Sequence, residues 1–324
     1  MQRREFIMFV GGAAAVLPDA THAQEAARIY RLGVMTPSAK IGASYIAAFF
    51  DELRLSGFVE GQNLKVDGGG YGLRDEQLPE IVAAMAKSPP DVIFCATAAE
   101  MRAAQGAIRA VPIVGITGDM IANGLVKSVA RPDGNITGIS LLSPELNGKR
   151  QDIIIEAVSG ARRMAILAEA NNTTPQQLKA LQDAGRAHGI EIAIFSVRTP
   201  EDIAPAMNEI KMSGAAAINV LSSALLNANR SLIFKRAAEL RLPAIYEWPE
   251  MAEEGGLIAY GARLTGIFRQ AARMVVKTLR GVKPADIPIE QPTNFELVIN
   301  LKTAHAIGHD VPVALLLRAD KVIE

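Results

Sequence analysis

Residues 111–140 read VPIVGITGDMIANGLVKSVARPDGNITGIS, and this stretch decides the fold. Its apolar start, residues 111–116, predicts a short buried strand, and residues 136–140 predict a second extended segment. Between them, Thr117-Gly118-Asp119 places a carboxylate just beyond the carboxyl end of the first strand. Open α/β sheets bind ligands at that edge, so Asp119 is a candidate ligand-binding residue.

The middle of the stretch predicts a short helix followed by a turn. Asn123 can cap a helix whose Leu125, Val126 and Val129 share one face. The following Arg131-Pro132-Asp133-Gly134 has the composition of a turn, because proline fixes φ and glycine supplies a positive φ. This order of a strand, an acidic loop, a turn and a second extended segment indicates that the chain completes one lobe here and crosses to another.

Strands and helices alternate on both sides of this stretch, which predicts parallel, doubly wound sheets. The pattern before it predicts strands at 29–35, 64–67 and 91–96 and helices at 44–55, 77–87 and 100–110. The pattern after it predicts helices at 146–158, 175–188, 200–212, 228–240 and 265–280 and strands at 164–168, 190–197, 215–221 and 244–246. Residues 257–260 are expected to cross back, and 283–292 and 295–300 to be extended. We therefore expect an α/β protein in which residues 24–142 with 260–292 form lobe 1 and residues 143–259 with 293–324 form lobe 2.

The length and the net charge of the chain limit the number of domains and the kinds of partner to be expected. The chain has 324 residues, enough for two domains, and its 34 basic and 34 acidic residues give a net charge of zero. A general nucleic-acid binder needs a basic surface, so we expect no nucleic-acid partner. Cys95 is the only cysteine, which excludes an internal disulfide. We expect a monomer.

The first 23 residues have the pattern of an export signal. Arg3-Arg4 precedes an apolar run at 6–17, and Thr21-His22-Ala23 offers the small residues that a signal peptidase reads. The twin arginine is typical of twin-arginine export, and ordinary Sec export is the alternative. The apolar run is short for a bilayer span, although a retained anchor is a further alternative. We expect cleavage after Ala23 and a soluble periplasmic protein.

The chain resembles the solute-binding proteins of ABC importers, in the subfamily that includes binders of tryptophan and other aromatic amino acids. The motifs that carry the resemblance are Pro112-Ile113-Val114, Asp119, Gly124-Leu125-Val126, Ser128, Ala130-Arg131-Pro132, Gly134-Asn135-Ile136-Thr137-Gly138, Gly57-Phe58-Val59-Glu60-Gly61-Gln62-Asn63, Pro144-Glu145-Leu146, Gly148-Lys149-Arg150, Leu242-Pro243-Ala244-Ile245-Tyr246 and residues 295–304. The resemblance implies the type I periplasmic binding fold, a clamshell that closes on a small ligand by hinge motion. It also implies an ABC permease of the inner membrane as partner, and an amino acid, preferably aromatic, as ligand.

A clamshell site collects the loops that follow the strands of both lobes. The candidate ligand-binding residues are Thr36, Ser38, Thr97, Ala98 and Asp119 from lobe 1 and Asn171, Asn172, Ser222, Ser223, Glu247 and Trp248 from lobe 2. Hydroxyls and helix amides can hold a carboxylate, a carboxylate can hold an ammonium group, and an aromatic ring can cover an apolar body. Each candidate has another interpretation: Ser38, Thr97 and Ser223 as helix caps, Asp119 as a turn cap, Trp248 as lobe packing and Glu247 as a solvated charge.

Some positions depart from the family pattern, and catalytic signals are weak. Gly68-Gly69-Gly70 and Ser222-Ser223 stand where relatives carry other residues, which affects the identity of the ligand more than the fold. His305 and His309 have metal-ligand spacing, but Gly308 is expected to end their helix first. No nucleophile elbow or phosphate loop occurs, so we expect no catalytic residue, metal or cofactor. A periplasmic ligand-sensing module that docks on a membrane receptor and a periplasmic enzyme remain alternatives.

Overall fold

The computed structural model describes residues 28–40, 43–67, 69–170 and 172–324. The predicted export signal, its cleavage site after Ala23, Gly68 and Asn171 lie outside the described residues. In the described part of the chain no helix combines the length and the apolar character needed to cross a bilayer.

The first sheet is wholly parallel and has the strand order β2-β1-β3-β4-β5 in the described residues. Its strands are β1 (Tyr30–Met35), β2 (Leu64–Asp67), β3 (Val92–Cys95), β4 (Ile113–Thr117) and β5 (Ile136–Ser140). Every residue of β3, β4 and β5 is buried. Such near-continuous apolar strands are typical of a parallel sheet that is covered on both faces.

Helices cover both faces of this sheet, and one of them comes from late in the chain. They are α1 (Ser44–Leu55), α2 (Leu78–Lys87), α3 (Ala98–Ala107) and, after the chain has passed through the second lobe, α10 (Leu264–Leu279). Phe49 of α1 lies 4.5 Å from Phe94 of β3 between ring centroids, and Phe94 lies 5.6 Å from Phe268 of α10. The three rings join both helices to the sheet.

Two glycines allow β4 and β5 to pack as they do. At Gly138, where φ is +149°, an added Cβ would lie 1.9 Å from the carbonyl oxygen of Gly115. At Gly115 it would lie 2.0 Å from the sulfur of Met101. At Gly138 a side chain would displace backbone, which is the physical reason for the last glycine of the Gly-Asn-Ile-Thr-Gly motif in the opening stretch.

The second sheet has the strand order β12-β11-β10-β9-β8-β6-β7 in the described residues, and β10 and β11 form its antiparallel pair. The strands are β6 (Arg163–Glu169), β7 (Glu191–Val197), β8 (Ile218–Val220), β9 (Ala244–Tyr246), β10 (Ile258–Gly261), β11 (Glu296–Asn300) and β12 (Lys321–Ile323). The helices of this lobe are α4 (Ser143–Ala157), α5 (Pro175–Ala187), α6 (Pro200–Met212), α7 (Ala224–Ala228), α8 (Arg230–Glu239), α9 (Pro249–Glu253), α11 (Leu301–Ile307) and α12 (Val313–Leu316). The expectation of two parallel-sheet α/β lobes is confirmed.

Several expected elements differ from the structure. Residues 257–260 were expected to be a crossing, but β10 is a strand of the second sheet and the chain leaves it after Gly261. The helix expected at 228–240 is α8, which begins at Arg230, and a separate short helix that was not predicted, α7, precedes it and ends at Ala228. Residues 283–292 are only partly extended, because Pro284–Asp286 forms a 3₁₀ turn and Glu290 then pairs with Ile139 of β5.

The helix predicted after Asn123 is wrong, because the structure has turns and loop between β4 and β5. The Asn123 side chain donates instead to the carbonyl oxygen of Asp119 at 2.7 Å and to the Thr117 hydroxyl at 3.3 Å. Leu125 and Val126 are buried, as the pattern requires, but in a loop whose own polar groups bond locally. The helical spacing of these apolar residues was misleading, because they are buried in a loop and not on one face of a helix.

Candidate ligand-binding cleft

A cleft of about 610 Å³ lies between the two lobes and is lined by segments of both. Its volume falls in the range of small-molecule sites, which is about 300–1,000 Å³. Loops beyond the carboxyl ends of the strands supply most of the lining, as expected for parallel sheets. A ligand in the cleft would contact both lobes at once.

Most of the residues predicted for the site lie together on this lining. They are Ser38, Thr97, Ala98, Asp119, Asn172, Ser222, Ser223, Glu247 and Trp248. Thr36 is absent from the lining because it is fully buried, and its hydroxyl oxygen accepts a hydrogen bond from the Ser38 N–H at 3.1 Å. Asn171 lies outside the described residues.

The apolar wall of lobe 1 comes from helices rather than from loops. Tyr45 of α1 and Phe268 of α10 both line the cleft, with ring centroids 4.8 Å apart. The Tyr45 hydroxyl forms a 2.8 Å hydrogen bond with the Ser38 hydroxyl. Ser38 does not cap α1, whose N-cap is Ala43. Leu264 of α10 adds to this surface, and Trp248 of lobe 2 also lines the cleft. Tyr45 and Phe268 were not predicted from the sequence, because the candidates came only from the loops after strands.

Asp119 both caps a turn and lines the cleft. Its Oδ1 accepts hydrogen bonds from the N–H groups of Ile121 at 2.9 Å and Ala122 at 3.0 Å. The turn-capping interpretation is therefore confirmed. Oδ2 takes no part in these two bonds and is available to a ligand.

Thr97 and Ser223 cap helices whose first residues border the cleft. The Thr97 hydroxyl accepts from the Glu100 N–H at 3.3 Å, and the Ser223 hydroxyl accepts from the Leu226 N–H at 3.1 Å. Ser223 also donates to Oε2 of Glu169 at 2.5 Å. The capping interpretation of both residues is confirmed, and it fixes their hydroxyls at the cleft wall.

Glu247 is 8% exposed, so its interpretation as a solvated charge is wrong. Burial raises the pKa of its carboxyl, and the nearby guanidinium of Arg150 and the Ser222 hydroxyl oppose that effect. Arg150 itself is fully buried, and burial lowers its pKa to about 10. A buried charge needs such a partner: Glu247 lies on the lobe 2 wall, and the positive charge of Arg150 lies behind it.

A second buried carboxyl lies beneath the lobe 1 wall. Oε2 of Glu100 accepts from the N–H groups of Ala96 at 2.8 Å and Thr97 at 2.9 Å. Burial nevertheless raises its pKa to about 8, because the two donors only partly offset the loss of solvent. Cys95 next to it is a buried free thiol. Ala96 and Thr97 line the cleft, so Glu100 fixes the backbone at that point.

Arg230 supplies a positive charge to the lining. It is the first residue of α8, and its side chain is about a quarter exposed. Arg230 was not predicted for the site, because it fell in the helix predicted at 228–240 and the candidates came from the loops after strands. In the structure it follows Asn229, the N-cap of α8.

The described residues hold no group of three or more His, Cys, Asp or Glu side chains that could bind a metal ion. Gly308, with φ of +70°, ends α11 after Ile307, so His305 and His309 do not share a helix face. The cleft lining itself offers hydrogen-bonding groups, single charges and aromatic rings.

Comparison with known proteins identifies the family to which the chain is similar. The family model for ABC transporter substrate binding proteins matches residues 44–323. A tyrosine-binding protein of Clostridioides difficile is 22% identical over 263 residues, which cover 80% of this chain and 75% of the relative. Among solved structures, a conserved domain protein from Vibrio cholerae superposes with a TM-score of 0.80 at 22% identity, over 91% of this chain and 99% of the other. An ABC domain from Streptococcus pneumoniae in complex with L-tryptophan superposes with a TM-score of 0.78 at 20% identity, over 91% of this chain and all of the other.

Proposed function

Because the chain belongs to the ABC transporter substrate-binding protein family, we propose that it captures an amino acid in its cleft and delivers it to the permease of an importer. The observation that carries the ligand class is the composition of the cleft wall. Asp119 and Glu247 offer negative charge, Arg230 offers positive charge, and Tyr45 and Phe268 offer aromatic surface. An amino acid with an aromatic side chain presents the complementary groups.

The relatives support the same ligand class. One is a tyrosine-binding protein, and another was solved with L-tryptophan bound. Both ligands combine an ammonium, a carboxylate and an aromatic ring, and a tryptophan fits a cleft of about 610 Å³. We therefore choose L-tryptophan and L-tyrosine as the first candidates.

The proposal places the mature protein in the periplasm. The support is the sequence of residues 1–23, in which paired arginines, an apolar run and small residues follow one another as in an export signal. N-terminal sequencing of protein from a periplasmic extract should begin at Gln24. Membrane-bound protein that retains Met1 would contradict a freely diffusing carrier.

A ligand screen tests the function directly. A ligand that binds only the folded protein stabilises it, by about 2.7 kcal/mol at a concentration a hundred times Kd. We expect L-tryptophan or L-tyrosine to raise the melting temperature, and mass spectrometry should recover the ligand unchanged. A chemically altered ligand would indicate an enzyme. Binding to the partner permease separates an importer component from a sensing module, which would bind a membrane receptor instead.

A further inference from the structure

Arg230 occupies a position in the cleft that suits contact with an anion. It begins α8 in lobe 2, and Tyr45 of lobe 1 lines the same cleft. The Tyr45 hydroxyl is oriented by its 2.8 Å hydrogen bond with Ser38. An anion bound beside Arg230 would therefore also lie near the opposite lobe.

The guanidinium is fixed from behind and remains charged. Nε donates to Oε2 of Glu254 at 2.5 Å and Nη2 donates to Oε1 at 3.3 Å. Nη1 donates to the carbonyl oxygen of Asn227 at 3.1 Å. The hydrogen bond with Glu254 raises the pKa of Arg230, so the group is cationic at any physiological pH. An arginine that is held in place in this way loses little side-chain freedom when it binds a ligand.

The guanidinium keeps donors for a further acceptor. Arginine carries five N–H donors, and the contacts with Glu254 and Asn227 use three of them. Among the described residues, the remaining N–H groups on Nη1 and Nη2 have no protein acceptor. Two N–H groups of one guanidinium can bind the two oxygens of a carboxylate.

The distribution of charged side chains on the cleft lining also favours Arg230 as the anion-binding residue. Among the described residues of the lining, Arg230 is the cationic side chain, and the acidic ones are Asp119 and Glu247. The Arg150 guanidinium lies behind the wall, is fully buried and is engaged with Ser222, Asn147 and Tyr260. A ligand carboxylate would therefore meet its opposite charge at Arg230.

We propose that Arg230 binds the carboxylate of the ligand and is the residue by which the cleft distinguishes amino acids from the corresponding amines. This inference rests on the proposed function, because it assumes an amino-acid ligand. In this orientation the ligand carboxylate points toward the N-terminus of α8, and the ammonium group points away from it.

The test compares each amino acid with its decarboxylated amine. Calorimetry measures the affinities of wild type and Arg230→Gln for L-tryptophan and L-tyrosine and for tryptamine and tyramine. Loss of one partner of a buried, hydrogen-bonded charge pair lowers affinity on the order of thirtyfold or more. We expect that loss for the amino acid that wild type binds, and a change of less than about threefold for its amine. The affinity of Arg230→Lys for the amino acid should lie between those of wild type and Arg230→Gln, because lysine keeps the positive charge but cannot form two parallel hydrogen bonds with a carboxylate.

A matched control separates a ligand contact from a structural effect. Arg236 lies on the same helix and pairs with Glu239 and Asn208 outside the cleft lining. Arg236→Gln should leave affinity for the amino acid unchanged. If Arg230→Gln weakens the amino acid and its amine equally, or leaves both unchanged, the assignment of Arg230 is wrong while the proposed function stands. If wild type binds neither amino acid, the proposed ligand class and this assignment fail together.

Discussion

The guanidinium of Arg150 donates a 2.7 Å hydrogen bond from Nη2 to the hydroxyl of Ser222, although 72 residues separate the two along the chain. The same nitrogen donates to Oδ1 of Asn147 at 2.8 Å, and Nη1 donates to the carbonyl oxygen of Tyr260 at 2.9 Å. Ser222 and Asn147 line the cleft, and Tyr260 lies on β10, just before the chain crosses to lobe 1. Arg150 thus joins the cleft wall of lobe 2 to the crossing.

We expect Arg150→Met to destabilise the protein by about 3–5 kcal/mol, because it removes the hydrogen bonds to Asn147, Ser222 and Tyr260 and leaves the nearby buried carboxyl of Glu247 without a compensating positive charge. Urea unfolding of wild type and variant at pH 7 measures the difference. The double variant Arg150→Met with Glu247→Gln removes the uncompensated charge and should recover part of the loss. If the double variant is no more stable than Arg150→Met alone, the electrostatic part of the explanation is wrong, and the lost hydrogen bonds and packing are the cause.

The buried carboxyl of Glu100 should make stability fall as pH rises. Its pKa is about 8 in the folded protein against an ordinary value of 4.5 in the unfolded chain, so the folded state binds the proton more tightly. Below about pH 4.5 the group is protonated in both states and costs nothing. Between about pH 4.5 and 8 the unfolded chain loses this proton while the folded protein keeps it, so the unfolded state is increasingly favoured; above about pH 8 the folded state buries the charged carboxylate and the loss of stability is complete. The loss of unfolding free energy across that window is on the order of several kcal/mol.

Glu100→Gln isolates this effect. Glutamine can accept the same N–H hydrogen bonds from Ala96 and Thr97 through its amide oxygen, but it does not titrate. We expect the variant to match wild type near pH 4.5 and to be more stable than wild type at pH 8. Glu80→Gln, at an exposed position of α2, is the matched control and should give no such pH-dependent gain. Parallel pH profiles for wild type and Glu100→Gln would contradict the assignment.

The order of strands and helices could be predicted from the sequence because burial in a parallel sheet leaves a direct pattern. The buried strands β3, β4 and β5 contain few polar residues. Asp119 and Ser222 lie in loops at the carboxyl ends of strands, and both line the cleft. The placement of Ser38, Thr97 and Trp248 on the cleft lining follows from the same rule.

The missed parts of the site depend on long-range contacts. Tyr45 and Phe268 are 223 residues apart in sequence, and the helices that carry them to the cleft pack together only in the folded lobe. Glu247 looks like a surface charge until Arg150, nearly a hundred residues earlier, is placed behind it. Arg230 is the first residue of α8, and helix ends are local events that periodicity does not resolve.

The contact between β4 and β5 predicts a severe effect for Gly138→Ala. The new Cβ would meet the Gly115 carbonyl at 1.9 Å, and the residue has a φ of +149°, so both backbone strands would have to shift. We expect a loss of roughly 3 kcal/mol or more of unfolding free energy, measured in urea. Gly134→Ala is the matched control, since φ is +81° there and no atom lies within 4 Å of an added Cβ. It should lose only about 1–2 kcal/mol, and equal losses at both sites would contradict the steric argument.

Asp119 is predicted to have two separable roles, one for each carboxylate oxygen. Oδ1 accepts from the N–H groups of Ile121 and Ala122, so Asp119→Ala should cost about 1 kcal/mol of stability. If Oδ2 binds the ligand ammonium, Asp119→Ala should also weaken L-tryptophan binding on the order of thirtyfold or more. Asp119→Asn should keep the stability but lose the affinity, because an amide caps the turn without neutralising an ammonium group.

Calorimetry together with thermal melting tests both roles of Asp119. Indole-3-propionate lacks the ammonium group, so Asp119→Asn should not weaken its binding, whereas Arg230→Gln should, because this ligand keeps the carboxylate. Asp133→Asn is the matched control: Asp133 also accepts a backbone hydrogen bond in an exposed loop, from the Lys127 N–H at 3.1 Å, and lies outside the cleft lining. It should leave L-tryptophan affinity unchanged. Near-native affinity in Asp119→Asn would remove Asp119 from the ammonium site and leave Glu247 as the acidic side chain of the lining available for that role.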